Sequence, residues 1–278
     1  MTLDIIKEAE ALQSLYKADQ TKVNFFVYGD KGAGKTTLLT TAPRPILVDS
    51  FDDGGTQSII DEIKQGWILA DARWERDDPE NPTAWRNWLT EMDRRRKEGF
   101  FEAIGTYCID SLTTLQQLSM NRVLKDKGRV SGIPSTGKGA DNDYVVSQVG
   151  IERVIGTVLD LPCNVIITAH PDLTKDEDTK MKFIGPAVTG QLRTRLPLLF
   201  SEFYYMKSEI AYIKQGATMV GTQTFSVLTR PDGLFRASTR LGRKGKFDLW
   251  EKADIKHILQ KGGLEIKDKP IPWLKKEG

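Results

Sequence analysis

Eight consecutive residues, Gly29-Asp30-Lys31-Gly32-Ala33-Gly34-Lys35-Thr36, limit what this chain can fold into more than any other feature. They follow an apolar run, Val23 to Tyr28, that reads as a buried strand. They precede a helical stretch, Lys35 to Thr41, that Pro43 stops. A glycine loop between strand and helix turns backbone N–H groups toward one point, and the helix dipole favours negative charge there. Phosphate is the ligand that suits such a loop. Lys35 is placed to reach β and γ phosphates, the Thr36 hydroxyl to bind Mg²⁺, and the stretch Gly29 to Thr37 to line the nucleotide. ATP with Mg²⁺ is the expected occupant. A chance match in an ordinary turn is hard to reconcile with the full pattern in this order.

The rest of the chain alternates strand and helix signals. Arg44 to Asp49, Ile104 to Asp110 and Asn164 to His170 read as strands. Helices are predicted over residues 56–65, 84–98, 112–125 and 144–159, with Thr83 and Gly99 as cap and stop of the second. Residues 71–83, 127–143 and 171–190 read as polar loops. Beyond them the pattern shifts to strands at 202–207, 223–229 and 234–237, the last two joined by Pro231-Asp232-Gly233, and then to a short helix over 251–261. The expected fold is α/β, a mostly parallel sheet flanked by helices with C-terminal antiparallel strands. Residues 22–262 form one core. Residues 1–21 carry an amphipathic helix that packs on the core or on a neighbouring subunit, and residues 263–278 form a basic tail.

Composition excludes several classes. Hydrophobic residues at 39% and charged residues at 28% of 278 are ordinary for a globular chain. Lys plus Arg (40) barely exceeds Asp plus Glu (38), so any nucleic-acid site must be local. Cys108 and Cys163 lie in or beside apolar runs and read as reduced core thiols, and two His with no Cys pair argue against structural zinc. No apolar run approaches the ~20 residues of a membrane span, and no signal pattern opens the chain. A cytoplasmic protein without a membrane partner is expected.

Other candidate residues gather at strand ends. Asp110 closes an apolar strand and faces the ligand crevice, which suits the outer shell of Mg²⁺; capping the next helix is its bland alternative, and Ser111 reads as such a cap. Asp52 and Asp53 end the second strand. Either can orient or deprotonate the attacking water, Asp53 is preferred, and a solvated Asp-Asp-Gly-Gly turn would look the same. His170 ends the fourth strand, placed to touch the γ phosphate and to report hydrolysis to the loop after it, whereas Thr168 reads as core. Lys127, Arg129 and Lys138 lie in one loop, Lys175, Lys180 and Lys182 in another. Basic side chains on glycine-rich backbone suit a DNA phosphate track, but on charge alone their acidic neighbours speak for plain surface loops. Arg240 suits an arginine finger on ATP in a neighbouring subunit, or a basic surface turn. Trp67, Trp74, Trp85 and Trp88 read as packing residues.

The order of phosphate loop, Asp53-Gly54-Gly55, Tyr107-Cys108-Ile109-Asp110-Ser111, Asn164 to His170 and Ala237-Ser238-Thr239-Arg240-Leu241-Gly242 resembles the RecA-like P-loop ATPases. Within them it is most similar to the phage AAA-type family that includes the Sak single-strand-annealing recombinases. The resemblance spans about residues 22–262. It implies an ATPase of phage DNA recombination that binds single-stranded DNA through the loops at 127–143 and 171–190. It also implies a homo-oligomeric ring or filament with ATP at subunit interfaces, and a single-strand-binding protein as a further partner. His170 matches a γ-phosphate sensor and Arg240 a finger acting across the interface. The sequence departs from the pattern in offering Asp where Glu is usual and Ser238 where Lys is common, which points to slow or DNA-dependent hydrolysis. Two other readings fit the same core: a replication or packaging motor acting on a protein partner, and a small-molecule kinase. A kinase needs lid arginines, and the loop at 171–190 has none, although Arg193 and Arg195 follow it.

Overall fold

Runs of apolar, β-branched and aromatic residues alternate with helices, and in the computed structural model they build one central sheet. The structure describes residues 4–19, 22–128, 139–175, 180–215 and 218–274. Among them, nine strands pair in the order β11-β9-β8-β1-β5-β4-β2-β3, with β10 attached to β8. The strands are β1 (Asn24–Gly29), β2 (Ile46–Ser50), β3 (Ile68–Asp71), β4 (Thr106–Asp110), β5 (Asn164–Ala169), β8 (Glu202–Gln215), β9 (Thr218–Leu228), β10 (Ser238–Thr239) and β11 (Trp250–Lys252). A separate hairpin joins β6 (Pro171–Lys175) to β7 (Lys182–Pro186). Strands β3, β2, β4, β5, β1 and β8 run parallel, so β1, β2, β4 and β5 all end on one edge. Strands β9, β10 and β11 add antiparallel pairs.

Each face of the sheet buries its own core. On one, Trp85, Trp88 and Met92 of α4 (Ala84–Lys97) pack with Leu112 and Leu115 of α5 (Leu112–Asp126) and Ile151 and Ile155 of α6 (Gly139–Leu159). On the other, Leu38 and Leu39 of α2 (Lys35–Leu39) pack with Ile255 and Ile258 of α8 (Ile255–Lys261). Cys108 and Cys163 are free, buried thiols, pushed up by burial, Cys163 to about 12. Trp74, Trp85 and Trp88 are buried, and Trp88 Nε1 donates to Asp49 Oδ2 at 2.8 Å.

Several elements differ from expectation. Strand β3 was unexpected, because four residues followed by a charged stretch give little periodicity. The segment 171–190 is not simply a loop: β6 and β7 pair from Pro171↔Pro186 to Lys175↔Lys182. A two-stranded ribbon exposed on its edges carries no apolar alternation that would betray it. A strand was expected over 234–237, whereas only Phe235 bridges, to Ile184, and the pairing strand is β10. The helix α7 (Leu192–Leu199) was not foreseen because Pro197 sits inside it. Helix α4 has the expected bounds, but its first N–H groups are held by Asp77 Oδ1, which accepts from Thr83 N (2.9 Å) and Ala84 N (3.1 Å), rather than by the Thr83 side chain.

The described side chains of α1 (Ile5–Asp19), from Ile5 to Ser14, are all exposed. The C-terminal segment lies against the core. Lys269 Nζ donates to the carbonyls of Glu102 (2.9 Å) and Ile104 (2.7 Å), and Trp273 Nε1 to that of Gly66 (2.6 Å). No described helix is long and apolar enough to cross a membrane.

Candidate active site

The parallel edge collects the candidate residues. Strand β1 ends at Gly29, whose backbone approaches β8 so closely that a Cβ there would lie 2.3 Å from the Met206 carbonyl oxygen. Gly32 (φ +82) and Gly34 (φ +88) take the left-handed conformation that opens the loop into α2. The loop is braced from β8. Tyr205 OH donates to Asp30 Oδ2 at 3.2 Å, and Ser208 Oγ lies 3.4 Å from the Gly32 carbonyl oxygen.

Lys35 is buried and reaches back across the loop, donating to the carbonyls of Gly29 (2.6 Å) and Asp30 (3.0 Å). Burial pulls its pKa below the ordinary lysine value, against the opposing pull of Asp110, Asp52 and Asp30. This is an ammonium held by two carbonyl acceptors of the loop, at the position the pattern assigns to phosphate oxygens. Thr36 Oγ1 donates to Asp110 Oδ2 at 2.6 Å. Asp110 is buried at the end of β4, and Thr168 on the adjacent β5 donates to its other oxygen. Burial raises the Asp110 carboxyl above its usual range, partly offset by the bonds from Thr168 and Thr36 and by Lys35. A buried carboxylate paired with a threonine hydroxyl is a hard-oxygen donor set, and a Cβ on Gly32 would meet nothing within 4 Å. The residues therefore fit Mg²⁺, which takes few protein ligands and completes its shell with phosphate and water. Among the described residues no group of three or more His, Cys, Asp or Glu offers an all-protein metal site.

A second cluster stands beside the first. Asp52 follows β2, and its Oδ1 accepts from Ser111 Oγ (2.9 Å) and from the Thr114 hydroxyl. Its Oδ2 lies 3.2 Å from His170 Nε2. Burial pushes the Asp52 carboxyl up, but the bonds from His170, Thr114 and Ser111 outweigh it and hold the group below the usual carboxylate range. Asp53, preferred on sequence, points elsewhere: it is exposed and paired with Arg76 at 3.1 Å. The reason is local. The Asp52 carbonyl accepts from Gly55 N at 2.8 Å, closing a turn that aims consecutive side chains in different directions. The structure thus brings Asp52, not Asp53, to His170.

Three contributors escaped the sequence reading. Thr168 is core, as expected, yet it also orients Asp110. Ser111 makes no side-chain cap and serves Asp52 instead. Glu75, from the stretch read as a loop, accepts from Ser50 Oγ (2.6 Å) and Gly54 N (3.0 Å), fixing the turn that carries Asp52. Nothing in local sequence marks Glu75, because its partners are more than twenty residues away.

His170 leads straight into the β6–β7 hairpin. Its N–H donates to Thr113 Oγ1 (3.0 Å), and its carbonyl accepts from Ala187 N (2.7 Å) just beyond β7. Lys175, Lys180 and Lys182 are exposed on this hairpin. Lys127 forms an ion pair with buried Asp143, which ties the end of α5 to α6. Arg129 and Lys138 lie outside the described residues. Arg240 stands at the opposite edge of the sheet. Its N–H donates to Glu202 Oε1 (3.0 Å), and its guanidinium to the Leu198 carbonyl (3.0 Å), near the start of β8. It is not part of the cluster in its own chain. Arg193 and Arg195 pair with Asp172 (2.7 Å) and Glu152 (3.3 Å).

A family model described as an AAA domain matches residues 21–240. Among solved structures, the chain is similar to a prototypical ATPase from the type III secretion system of pathogenic bacteria. The likeness has 14% identity and a TM-score of 0.40, and covers 86% of this chain and 59% of that one. No curated protein matches.

Proposed function

The chain belongs to the AAA domain family, and from that premise we propose that it is a DNA-stimulated ATPase of phage single-strand annealing and recombination, working in the host cytoplasm. The hydrolytic half of the reading rests on Asp52. Its carboxylate, kept ionised by three hydrogen-bonding partners, accepts the proton of a water that attacks the γ phosphorus, while the bond to the β-phosphate oxygen breaks and ADP leaves. Lys35 binds the β and γ phosphates, and Thr36 and Asp110 hold the metal. Bound Mg²⁺ neutralises charge on the phosphates. His170 holds Asp52 in place and senses the γ phosphate.

One observation carries the DNA half. The residue that touches Asp52 is also hydrogen-bonded at the base of the hairpin that carries Lys175, Lys180 and Lys182, through its carbonyl and Ala187 N. A change at the γ phosphate is transmitted through His170 to Lys175, Lys180 and Lys182, which suit a phosphate backbone. Lys127, neutralised by Asp143, contributes less. Arg240, at the far edge, completes the site of the next protomer in a ring or filament. The test is ATP turnover with and without single-stranded DNA of increasing length. Stimulation that grows with length and falls with salt is expected; equal rates throughout would remove the DNA partner.

A second reading has its own support. Leu173 (59% exposed) and Met181 (62%) lie on the same hairpin and suit a protein surface better than a phosphate track. A motor acting on a replication or packaging protein would bind there without DNA affinity. The kinase reading loses ground, since Arg193 and Arg195 are engaged in ion pairs.

A further inference from the structure

Strand β8 does not stop where β1 stops. Their pairing ends at Gly29↔Met206, whereas β8 continues to Gln215 and its pairing with β9 runs unbroken from Tyr205↔Leu228 to Gln215↔Thr218. The hairpin therefore overhangs the sheet edge beside the phosphate loop. Alternation assigns its faces. Tyr204 and Met206 pack on the core that contains α2, so Ser208, Ile210 and Tyr212 continue that face. The hairpin touches the loop twice on this side. Ser208 Oγ approaches the Gly32 carbonyl, and a Cβ on Gly34 would lie 2.6 Å from the Phe225 ring.

Past these contacts the face is apolar and uncovered. Ile210 is 65% and Tyr212 is 68% exposed. Gly221 lies opposite Tyr212 and Gln223 opposite Ile210. With no side chain at Gly221, the Tyr212 ring and Ile210 lean across the glycine: a Cβ there would lie 3.5 Å from the ring and 3.1 Å from Ile210 Cγ2. Gln223 offers an amide donor and acceptor on the same face.

Strand order says what reaches this face. The metal pair Thr36–Asp110 and the cluster of Asp52 and His170 lie on the β5-β4-β2 side of β1. The γ phosphate must face them. The overhanging hairpin is on the other side of β1, on β8. A triphosphate threaded through the loop from the Asp110 side places its nucleoside end toward β8. Resting on the reading that the loop binds ATP, we propose that Ile210 and Tyr212 form the nucleobase platform of this site, with Gln223 at the base edge. The occupant is a purine ring covering the apolar face, continuous with the phosphates in the loop. Stacking on an aromatic ring gives a role to a tyrosine that is largely exposed on a sheet extension.

The test compares two ligands on the full chain by titration calorimetry: ATP and inorganic tripolyphosphate, each with Mg²⁺. Tripolyphosphate has the charge of the phosphates and no base. Tyr212→Ala and Ile210→Ala are expected to weaken ATP about tenfold or more while leaving tripolyphosphate within about twofold, and Tyr212→Trp to retain ATP affinity. Unchanged ATP affinity in both alanine variants would overturn the platform. So would a parallel loss of both ligands, which would mark damage to the phosphate loop. A fall in assembly mass with ATP affinity intact would make the face a contact between copies instead. Lys35→Ala separates the premise: it should weaken both ligands, and failure of the unmodified chain to bind either would remove the ATP reading itself.

Discussion

Asp52 Oδ2 lies 3.2 Å from His170 Nε2, although the two residues end strands that are not neighbours in the sheet. The contact joins the turn after β2 to the start of the β6–β7 hairpin across the end of β4. It puts one carboxylate between the phosphate loop and the β6–β7 hairpin.

The first consequence separates two adjacent acids. Asp52→Asn should lower the rate of ATP hydrolysis by roughly 100-fold or more, as expected for loss of a general base. Asp53→Asn, which loses only an exposed ion pair with Arg76, should stay within about threefold of the unmodified chain. Steady-state rates at saturating ATP decide between them. The reverse ranking would return the base to Asp53.

The same carboxyl gives a stability signature. Its folded pKa is depressed below the unfolded value of about 3.9. The unfolded chain then binds more protons in the window between the two values, so stability rises with pH there. The contribution is complete above the unfolded value and is lost as pH falls through the folded one. Urea midpoints between pH 3 and 6 should therefore drop less steeply on acidification in Asp52→Asn than in the unmodified chain. Parallel curves would mean that the hydrogen bonds do not hold the group down.

Gly29 makes a purely steric prediction. A Cβ there meets the Met206 carbonyl oxygen at 2.3 Å, in backbone that cannot move without separating β1 from β8. Gly29→Ala should cost about 1–3 kcal/mol, seen as a lower urea midpoint with the same slope. An unchanged midpoint would show that the two strands are less tightly paired in solution.

Arg240 lies at the edge of the sheet opposite Asp110, so the proposed finger acts on a neighbour's nucleotide and not on its own. Arg240→Ala and Lys35→Ala should each be inactive alone. Mixed, they should recover about a quarter of the activity at most, through interfaces that pair an intact loop with an intact finger. Complete absence of recovery, with mixed assemblies demonstrated by mass, would remove the finger.

The phosphate loop and the strand ends were legible because their signals are local. Gly29 to Thr36 is contiguous, and Asp110, His170 and Asp52 or Asp53 each close an apolar run. A parallel sheet converts those strand ends into one edge without further information. Even the antiparallel C-terminal strands were visible, though not how far β8 and β9 extend, because Lys207, Ser208 and Glu209 interrupt the apolar run of β8.

By itself, the sequence determined that a strand, a glycine loop and a helix would hold phosphates, and which strands would bring carboxylates to them. Only the tertiary structure decided which acid of the pair faces inward, because a turn closed by Gly55 and pinned by Glu75 sets the direction of Asp52. It also decided that Thr168 and Ser111 serve Asp110 and Asp52, and that Arg240 stands apart from both. The physical reason is the same in each case. Residue type and period are written along the chain, whereas the aim of a side chain depends on partners that folding brings from tens of residues away.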